Sequence, residues 1–147
     1  VSGIVGLGTA ANLALDKLEK TENGIATLRD RLKNGILKTV PGTVVNGTGP
    51  CIPNTVNISF DRVEAESLLI ALDLEGIAVS TGSACSSGTL EPSHVLRAMG
   101  FSAHRTQNSI RFSFGDENNE KEVDQVISVL PGVVEKLRSL TRVAKRI

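Results

Sequence analysis

The sequence predicts an α/β domain of the α+β kind, with a mostly antiparallel sheet of three to four strands and helices packed on one face. Two stretches, residues 55–60 and 109–114, alternate apolar and polar side chains, which is typical of strands with one buried face. Near both ends of the chain, apolar residues recur three and four positions apart, which is typical of amphipathic helices. At 147 residues the chain is long enough for one domain with a real core.

The composition excludes several classes of protein. Hydrophobic residues make up 40% and charged residues 22%, as in ordinary globular proteins, and the net charge of +0 favours neither nucleic acid nor a membrane surface as a partner. We see neither a long apolar span nor the basic leader of a signal peptide. Cys51 and Cys85 do not resemble a secreted disulfide framework, so we expect a reducing cytoplasm. Because Val1 already starts a helical pattern, we expect a piece of a longer protein.

The first helix is predicted from two successive apolar stripes. Residues 21–24 separate the stripes, so we expect a break or kink there. Pro41 and Gly42 end this section, a short strand is predicted over 43–46, and the following NGTGPCIPN has the composition of a loop. The stripes consist of Ile4, Leu7, Ala11, Leu15 and Leu18, then Ile25, Leu28, Leu32 and Ile36.

The middle of the chain is predicted to alternate strands and helices. Residues 55–60 form a strand, because every second side chain is apolar. A helix over 64–75 ends before Gly76, since glycine is favoured just past a helix end. Two further elements are a strand over 77–80 and a short helix over 92–99.

The last strand and the last helix complete the predicted core. Residues 109–114 alternate again, and Asn119 and Glu122 have the spacing of a capping box. Pro131 is expected to kink the helix, since a proline inside an unbroken helix costs about 3 kcal/mol. The opposite sheet face is hydroxyl-rich and meets either solvent or a missing partner domain. The core should contain Val56, Ile58, Phe60, Ile77, Val79, Ile110, Phe112 and Phe114, with Val123, Val126, Ile127, Leu130, Val134, Leu137 and Leu140 from the helix.

Residues 80–93, STGSACSSGTLEPS, place one thiol, Cys85, among small and polar residues that cannot build a core. One interpretation is a small apolar filler. The hydrophilic flanks favour the other interpretation, an exposed and reactive thiol in a mobile loop. No activating base is adjacent, since His94 is nine residues further on. The pattern indicates sulfur chemistry that another part of the protein completes.

Arg111 is the second candidate. It projects from its predicted strand on the face opposite Ile110 and Phe112. A solvated strand arginine and a fork for a small carboxylate are equally compatible with that position.

The remaining cysteine and the histidines predict no metal site. Cys51 lies between two prolines, which favours a structural role in a turn. Structural zinc sites use paired ligands at close spacing, and this spacing is absent from Cys51, Cys85, His94 and His104.

Residues 71–100, ALDLEGIAVSTGSACSSGTLEPSHVLRAMG, resemble the active-site cysteine segment of the pyridoxal-phosphate-dependent cysteine desulfurases. The resemblance is to the class I (NifS/IscS-like) branch, which has the longer loop. It covers nearly the whole chain. Other segments similar to the family, in the same order, are IVGLGTAANLAL, PNTVNISF, EAESLLIALDLEG, NSIRFSFG and ENNEKEVDQVISVL.

The resemblance implies the C-terminal domain of a fold-type I aminotransferase-like enzyme. Residues 1–40 would be a helical segment leading into a small domain at 41–147, which carries the cysteine loop at 81–91. Cys85 would take sulfur from L-cysteine, giving L-alanine and an enzyme persulfide, and Arg111 would bind the substrate carboxylate. On this interpretation the small residues keep the loop mobile, so that the sulfur on Cys85 can move from the cofactor to a partner's thiol. We therefore expect the highest mobility of any internal segment there.

One departure from the family limits what this chain does alone. The family's cofactor lysine follows a histidine in a serine–histidine–lysine type motif, and neither His94 nor His104 precedes a lysine. We therefore expect pyridoxal phosphate to be bound elsewhere in the full-length protein and the isolated chain to be inactive. Asp116 also stands where the family has a basic residue.

The resemblance also implies partners. They are L-cysteine, an iron–sulfur scaffold or other sulfur-acceptor protein, and a second copy in a homodimer of the full-length enzyme, with no nucleic acid and no membrane. Cys85 would be free to share a cluster bound on such a scaffold. The alternative is a stand-alone persulfide carrier or interaction module. A related lyase without sulfur transfer is disfavoured by the complete motif around Cys85.

Overall fold

The computed structural model describes residues 1–81 and 93–144, without the side chains of residues 16–23 and 142–144. Apart from Thr81, the predicted cysteine loop and the expectation of its mobility therefore lie outside the described residues. The elements are α1 (Ser2–Thr39), β1 (Thr43–Val45), β2 (Thr55–Phe60), α2 (Ala65–Leu74), α3 (His94–Ala98), α4 (Ala103–Gln107), β3 (Ser109–Ser113) and α5 (Glu120–Ala144).

The three strands form one antiparallel sheet in the order β1-β2-β3, which confirms the predicted fold class. The strand predicted over 77–80 is wrong, because only Ser80 pairs there, in an isolated bridge with Arg111. The cause lies at the end of α2. The backbone N–H of Gly76 donates to Asp73 and that of Ile77 donates to Leu72, which closes a Schellman motif and withdraws Ile77 from the sheet.

Helix α1 is continuous from Ser2 to Thr39, so, of the break or kink expected at 21–24, the break is wrong. The two stripes also differ in burial. The described side chains of the first stripe, as far as Leu15, are exposed, with Ile4 at 78% and Leu15 at 70%, whereas Leu32 and Ile36 are buried. Helical spacing predicted the stripe correctly, but among the described residues only the second half of α1 has a core to pack against.

The core lies between the apolar sheet face and α1, α2 and α5. All eight strand-side residues predicted for the core are in it or packed against it. Of the predicted α5 stripe, Leu140 is the exception, because it is 58% exposed beyond the end of the packed surface. The helix continues through Pro131.

The N-terminus of α5 has the predicted capping box. Asn119 Oδ1 accepts from the backbone N–H groups of Lys121 and Glu122 at 3.0 and 3.3 Å, and Glu122 Oε2 accepts from the Asn119 N–H at 3.1 Å. The side-chain amide of Asn118 and this N–H stabilise the carboxylate, which lowers the pKa of Glu122 below its usual value.

The cap should therefore weaken in acid. A carboxyl group whose pKa is lowered by folding contributes stability above its unfolded pKa and loses it as the pH falls through its folded pKa. We expect Glu122→Gln to lower the melting temperature at about pH 7 and to have no effect at about pH 2, where both side chains are neutral. Thermal unfolding of the two proteins at both pH values measures this, and an equal difference at both would contradict it.

Helices α1 and α5 pack closely at Gly35 and Ile127. A Cβ atom on Gly35 would lie only 2.7 Å from Cγ1 of Ile127. We expect Gly35→Ala to destabilise the protein by about 1–2 kcal/mol, because overpacking outweighs the gain in helix propensity.

The effect of Gly35→Ala on stability should reverse when Ile127 is shortened. In an Ile127→Ala background the new methyl group has room, so Gly35→Ala should stabilise the protein by up to about 1 kcal/mol. Urea unfolding of the four proteins measures both effects. A loss of stability from Gly35→Ala in both backgrounds would show that Ile127 is not the obstacle.

The polar face of the sheet carries a hydrogen-bonded network. Asn46 donates to Ser109 Oγ at 2.8 Å and accepts from Ser59 Oγ at 3.0 Å, and both serines are buried. Helix α4, which the sequence did not predict, supplies Arg105, whose Nε donates to Asn46 Oδ1 at 2.7 Å. Beside these residues α4 therefore covers the polar face of the sheet. Neither solvent nor a missing partner domain, the two expected alternatives, covers the face there.

Candidate functional site

Arg111 lies on the polar face of β3, between two neighbouring segments. On one side it pairs with Asn57 of β2. On the other its backbone N–H donates to Ser80 O at 2.7 Å, and the Ser80 N–H donates to Arg111 O at 3.1 Å. Directly opposite residues of antiparallel segments share a sheet face. The backbone therefore places these three side chains in one row.

Only some of the hydrogen-bond donors of the Arg111 guanidinium have partners among the described residues. Its Nη2 donates to Ser80 Oγ at 3.5 Å, whereas its Nε is buried and has no hydrogen-bond partner among the residues described. No carboxylate of a described residue forms an ion pair with it. Leaving a buried donor without a partner costs about 1–3 kcal/mol, so the arrangement is suited to accepting an anion.

The side chain of Asn57 is fixed by hydrogen bonds of the polar network. Its Oδ1 accepts from Asn46 Nδ2 at 2.6 Å, and Asn46 is itself bound by Arg105. The amide of Asn57 is therefore fixed beside Arg111. Sequence reasoning missed both Asn57 and Ser80 as neighbours of Arg111, although the alternation of residues 55–60 already placed Asn57 on the polar face.

Cys85 lies outside the described residues, but both flanks of its segment are anchored. Ser80 is hydrogen-bonded to Arg111, and Ser93 caps α3 by accepting from the Leu96 N–H at 3.4 Å. Cys85 follows Ser80 by five residues, and five extended residues reach at most about 18 Å. The chain therefore allows the thiol to approach a molecule bound at Arg111.

Cys51 is exposed and is contacted by an arginine. Nη1 of Arg29 donates to Cys51 Sγ at 3.4 Å and to the carbonyl of Ile52 at 2.9 Å. Arg29 also forms an ion pair with Asp30, and together with Lys33 it lowers the pKa of that carboxyl group through hydrogen bonds and charge. The contacts attach the loop around Cys51 to α1, in keeping with the structural role expected for it.

The cysteines and histidines whose positions are described do not come together in a metal site. His104 contacts the side chain of Asn108 at 3.2 Å. Within residues 1–81 and 93–144, no three side chains of histidine, cysteine, aspartate or glutamate are grouped closely enough to hold a metal ion. None of the helices in these ranges combines the length and apolar composition needed to cross a bilayer.

Comparison with known proteins identifies the family. The sequence model of the class-V aminotransferases matches residues 1–126. The chain is 45% identical over 142 residues to a cysteine desulfurase of Gluconacetobacter diazotrophicus, which covers 96% of this chain and 36% of that protein. It is 46% identical to the cysteine desulfurase IscS of Methanosarcina thermophila, and the match covers 96% of this chain and 35% of that protein.

A solved structure agrees with these sequence matches. The X-ray structure of a NifS-like protein from Rickettsia africae superimposes with a TM-score of 0.77 at 28% identity, covering 90% of this chain and 34% of that one. The chain thus spans about one third of the length of the proteins it matches. The resemblance found in the sequence is confirmed, and the chain belongs to the class-V aminotransferases, a pyridoxal-phosphate-dependent family.

Proposed function

We propose that the protein of which this chain forms part is a cysteine desulfurase, which takes sulfur from L-cysteine and leaves it on Cys85 as a persulfide. The observation that carries the proposal is the guanidinium of Arg111, buried in part and without a carboxylate partner among the described residues, beside the point where the Cys85 segment leaves the sheet. The names of the two relatives at 45% and 46% identity support L-cysteine as the substrate.

Arg111 binds the α-carboxylate of the substrate. A guanidinium presents parallel N–H groups that match a carboxylate, and such charge-assisted pairs are roughly twice as strong as neutral hydrogen bonds. Nε lacks a partner among the described residues, and Nη2 has a second hydrogen beyond the one directed to Ser80. These two atoms supply the fork.

Cys85 is the nucleophile, as a thiolate. Its sulfur attacks the sulfur of the bound L-cysteine, so that an S–S bond forms while the substrate's Cβ–S bond breaks. The electron pair of the broken bond stays with carbon, which takes up a proton and leaves as L-alanine. The enzyme keeps a persulfide, and the reaction balances without an added oxidant or reductant.

Pyridoxal phosphate is bound outside this chain in our proposal. The lysine side chains that the structure describes do not fit a buried cofactor site: Lys38, Lys121 and Lys136 are exposed, and Lys33 is bonded to Asp30 at 2.7 Å. When bound by the rest of the protein, the cofactor supplies the electron sink that carbon–sulfur cleavage requires. The isolated chain is accordingly inactive.

The wider assignments belong to the same proposal. Residues 1–40 lead into a small C-terminal domain at 41–147, and the complete enzyme is a cytoplasmic homodimer. Its persulfide sulfur goes to an iron–sulfur scaffold or another acceptor protein for cofactor assembly, since a persulfide passes its outer sulfur to an attacking thiolate.

The experiment that tests the proposal uses the complete protein. Purified with pyridoxal phosphate and given L-cysteine, it should release L-alanine without any second enzyme. A stand-alone persulfide carrier would release none, and would become loaded only when a separate desulfurase is added. Absence of L-alanine from the complete, cofactor-loaded protein would overturn the enzyme assignment.

A further inference from the structure

Ser80 supplies the side-chain hydroxyl that contacts the Arg111 guanidinium in the described part of the chain. We propose that Ser80 is a positioning residue, which sets the orientation of Arg111 and so determines how tightly the substrate carboxylate binds. The inference rests on the proposed function and adds a residue to it.

The backbone makes Ser80 a stable reference for the arginine. Residues 80 and 111 exchange both backbone hydrogen bonds, at 2.7 and 3.1 Å, so their Cα atoms are held directly opposite each other. The hydroxyl of Ser80 then has only its χ1 rotation left. The contact from Nη2 to the Ser80 hydroxyl is long at 3.5 Å. The pairing of the two backbones therefore supports the positioning role more strongly than this distance does.

Asn57, the neighbour on the opposite side, is less suited to this role. Its acceptor atom, Oδ1, already receives a hydrogen bond of 2.6 Å from Asn46. Asn46 is in turn held by Ser59 and Arg105, so the amide cannot turn without breaking a buried network. Of these two neighbours, Ser80 therefore has the acceptor that remains available to the guanidinium.

The expected effect of losing the hydroxyl follows from the length of the arginine side chain. Without a fixed acceptor, the guanidinium samples several rotamers, and substrate binding must order it again. Arg111 holds the carboxylate before and during the sulfur transfer alike. Weakening this contact therefore raises KM and leaves kcat nearly unchanged.

The test measures L-alanine formation by the complete, cofactor-loaded protein. We expect Ser80→Ala to raise KM for L-cysteine by about 3- to 10-fold, with kcat within about 2-fold of wild type. Ser80→Thr keeps a hydroxyl and should restore most of the affinity. Ser113→Ala is the matched control, since this exposed serine lies two residues from Arg111 on the same strand.

A double-mutant cycle separates positioning from general damage. If Ser80 acts through Arg111, then Ser80→Ala should add no further change in KM to an Arg111→Ala protein. Equal effects of Ser80→Ala in both backgrounds, or an unchanged KM in the single variant, would overturn the inference while the desulfurase assignment stands. Absence of L-alanine from wild type would overturn the assignment itself and the inference with it.

Discussion

Replacing Cys85 by serine should abolish persulfide and sulfide formation by the complete protein while leaving L-cysteine binding intact. In the proposed reaction the thiol acts only after the substrate is bound, because it attacks sulfur on a bound molecule. A serine hydroxyl is a far poorer nucleophile toward sulfur and has no comparable ionised form near neutral pH. A titration with L-cysteine, followed by the absorbance of the bound pyridoxal phosphate, measures binding separately from turnover.

Cys51→Ser is the matched control for this variant. Cys51 is an exposed thiol in the same chain, and its Sγ accepts a hydrogen bond from Arg29. It should retain persulfide formation. Loss of L-cysteine binding in Cys85→Ser would show that the thiol has a binding role instead of the nucleophilic one assigned to it.

Replacing Arg111 by alanine should weaken the absorbance change itself. Losing a charge-assisted, bidentate contact typically costs about 2–4 kcal/mol, or about 30- to 1,000-fold in affinity for L-cysteine. Arg111→Lys should recover only part of this loss, because a point charge cannot reproduce two parallel N–H groups. The same titration gives the affinity of each variant.

Arg31→Ala provides the comparison for an arginine whose charge is already paired. Arg31 bonds Asp124 and Glu120 at 2.9 and 3.1 Å on the outside of α1 and α5. Its removal should leave L-cysteine affinity unchanged. Normal affinity in Arg111→Ala, or an equal loss in Arg31→Ala, would remove Arg111 from the substrate site.

The features that the sequence predicted well are those encoded locally. The capping box of Asn119 and Glu122 and the helix end at Gly76 each depend on residues a few positions apart. The strand over residues 55–60 was recognisable because its alternation is complete. These signals need no knowledge of what the element packs against.

The errors have two other origins. Periodicity shows that a helix has an apolar face, but it does not show whether a partner covers it, so the exposure of Ile4 and Leu15 could not be predicted. The strand expected at 77–80 failed because the α2 cap takes the N–H of Ile77. Local pattern was outweighed there by the hydrogen bonds of a neighbouring element.

The candidate site was predictable only in part. The composition around Cys85 and the resemblance to a family predicted the thiol as the nucleophile. Position alone left Arg111 with two equal interpretations, and the same resemblance favoured the carboxylate-binding one. Its contact with Ser80 joins residues 31 positions apart and depends on sheet register. Nothing in the spacing of either residue could indicate that pairing.

The most direct test of the proposed function is the fate of the sulfur atom. The complete protein, loaded with pyridoxal phosphate, is given a limiting amount of L-cysteine and digested without reductant, and the peptides containing Cys85 and Cys51 are weighed by mass spectrometry. We predict one additional sulfur atom on the Cys85 peptide, in proportion to the L-alanine released. L-alanine release with the additional sulfur on Cys51, or on neither peptide, would contradict the account.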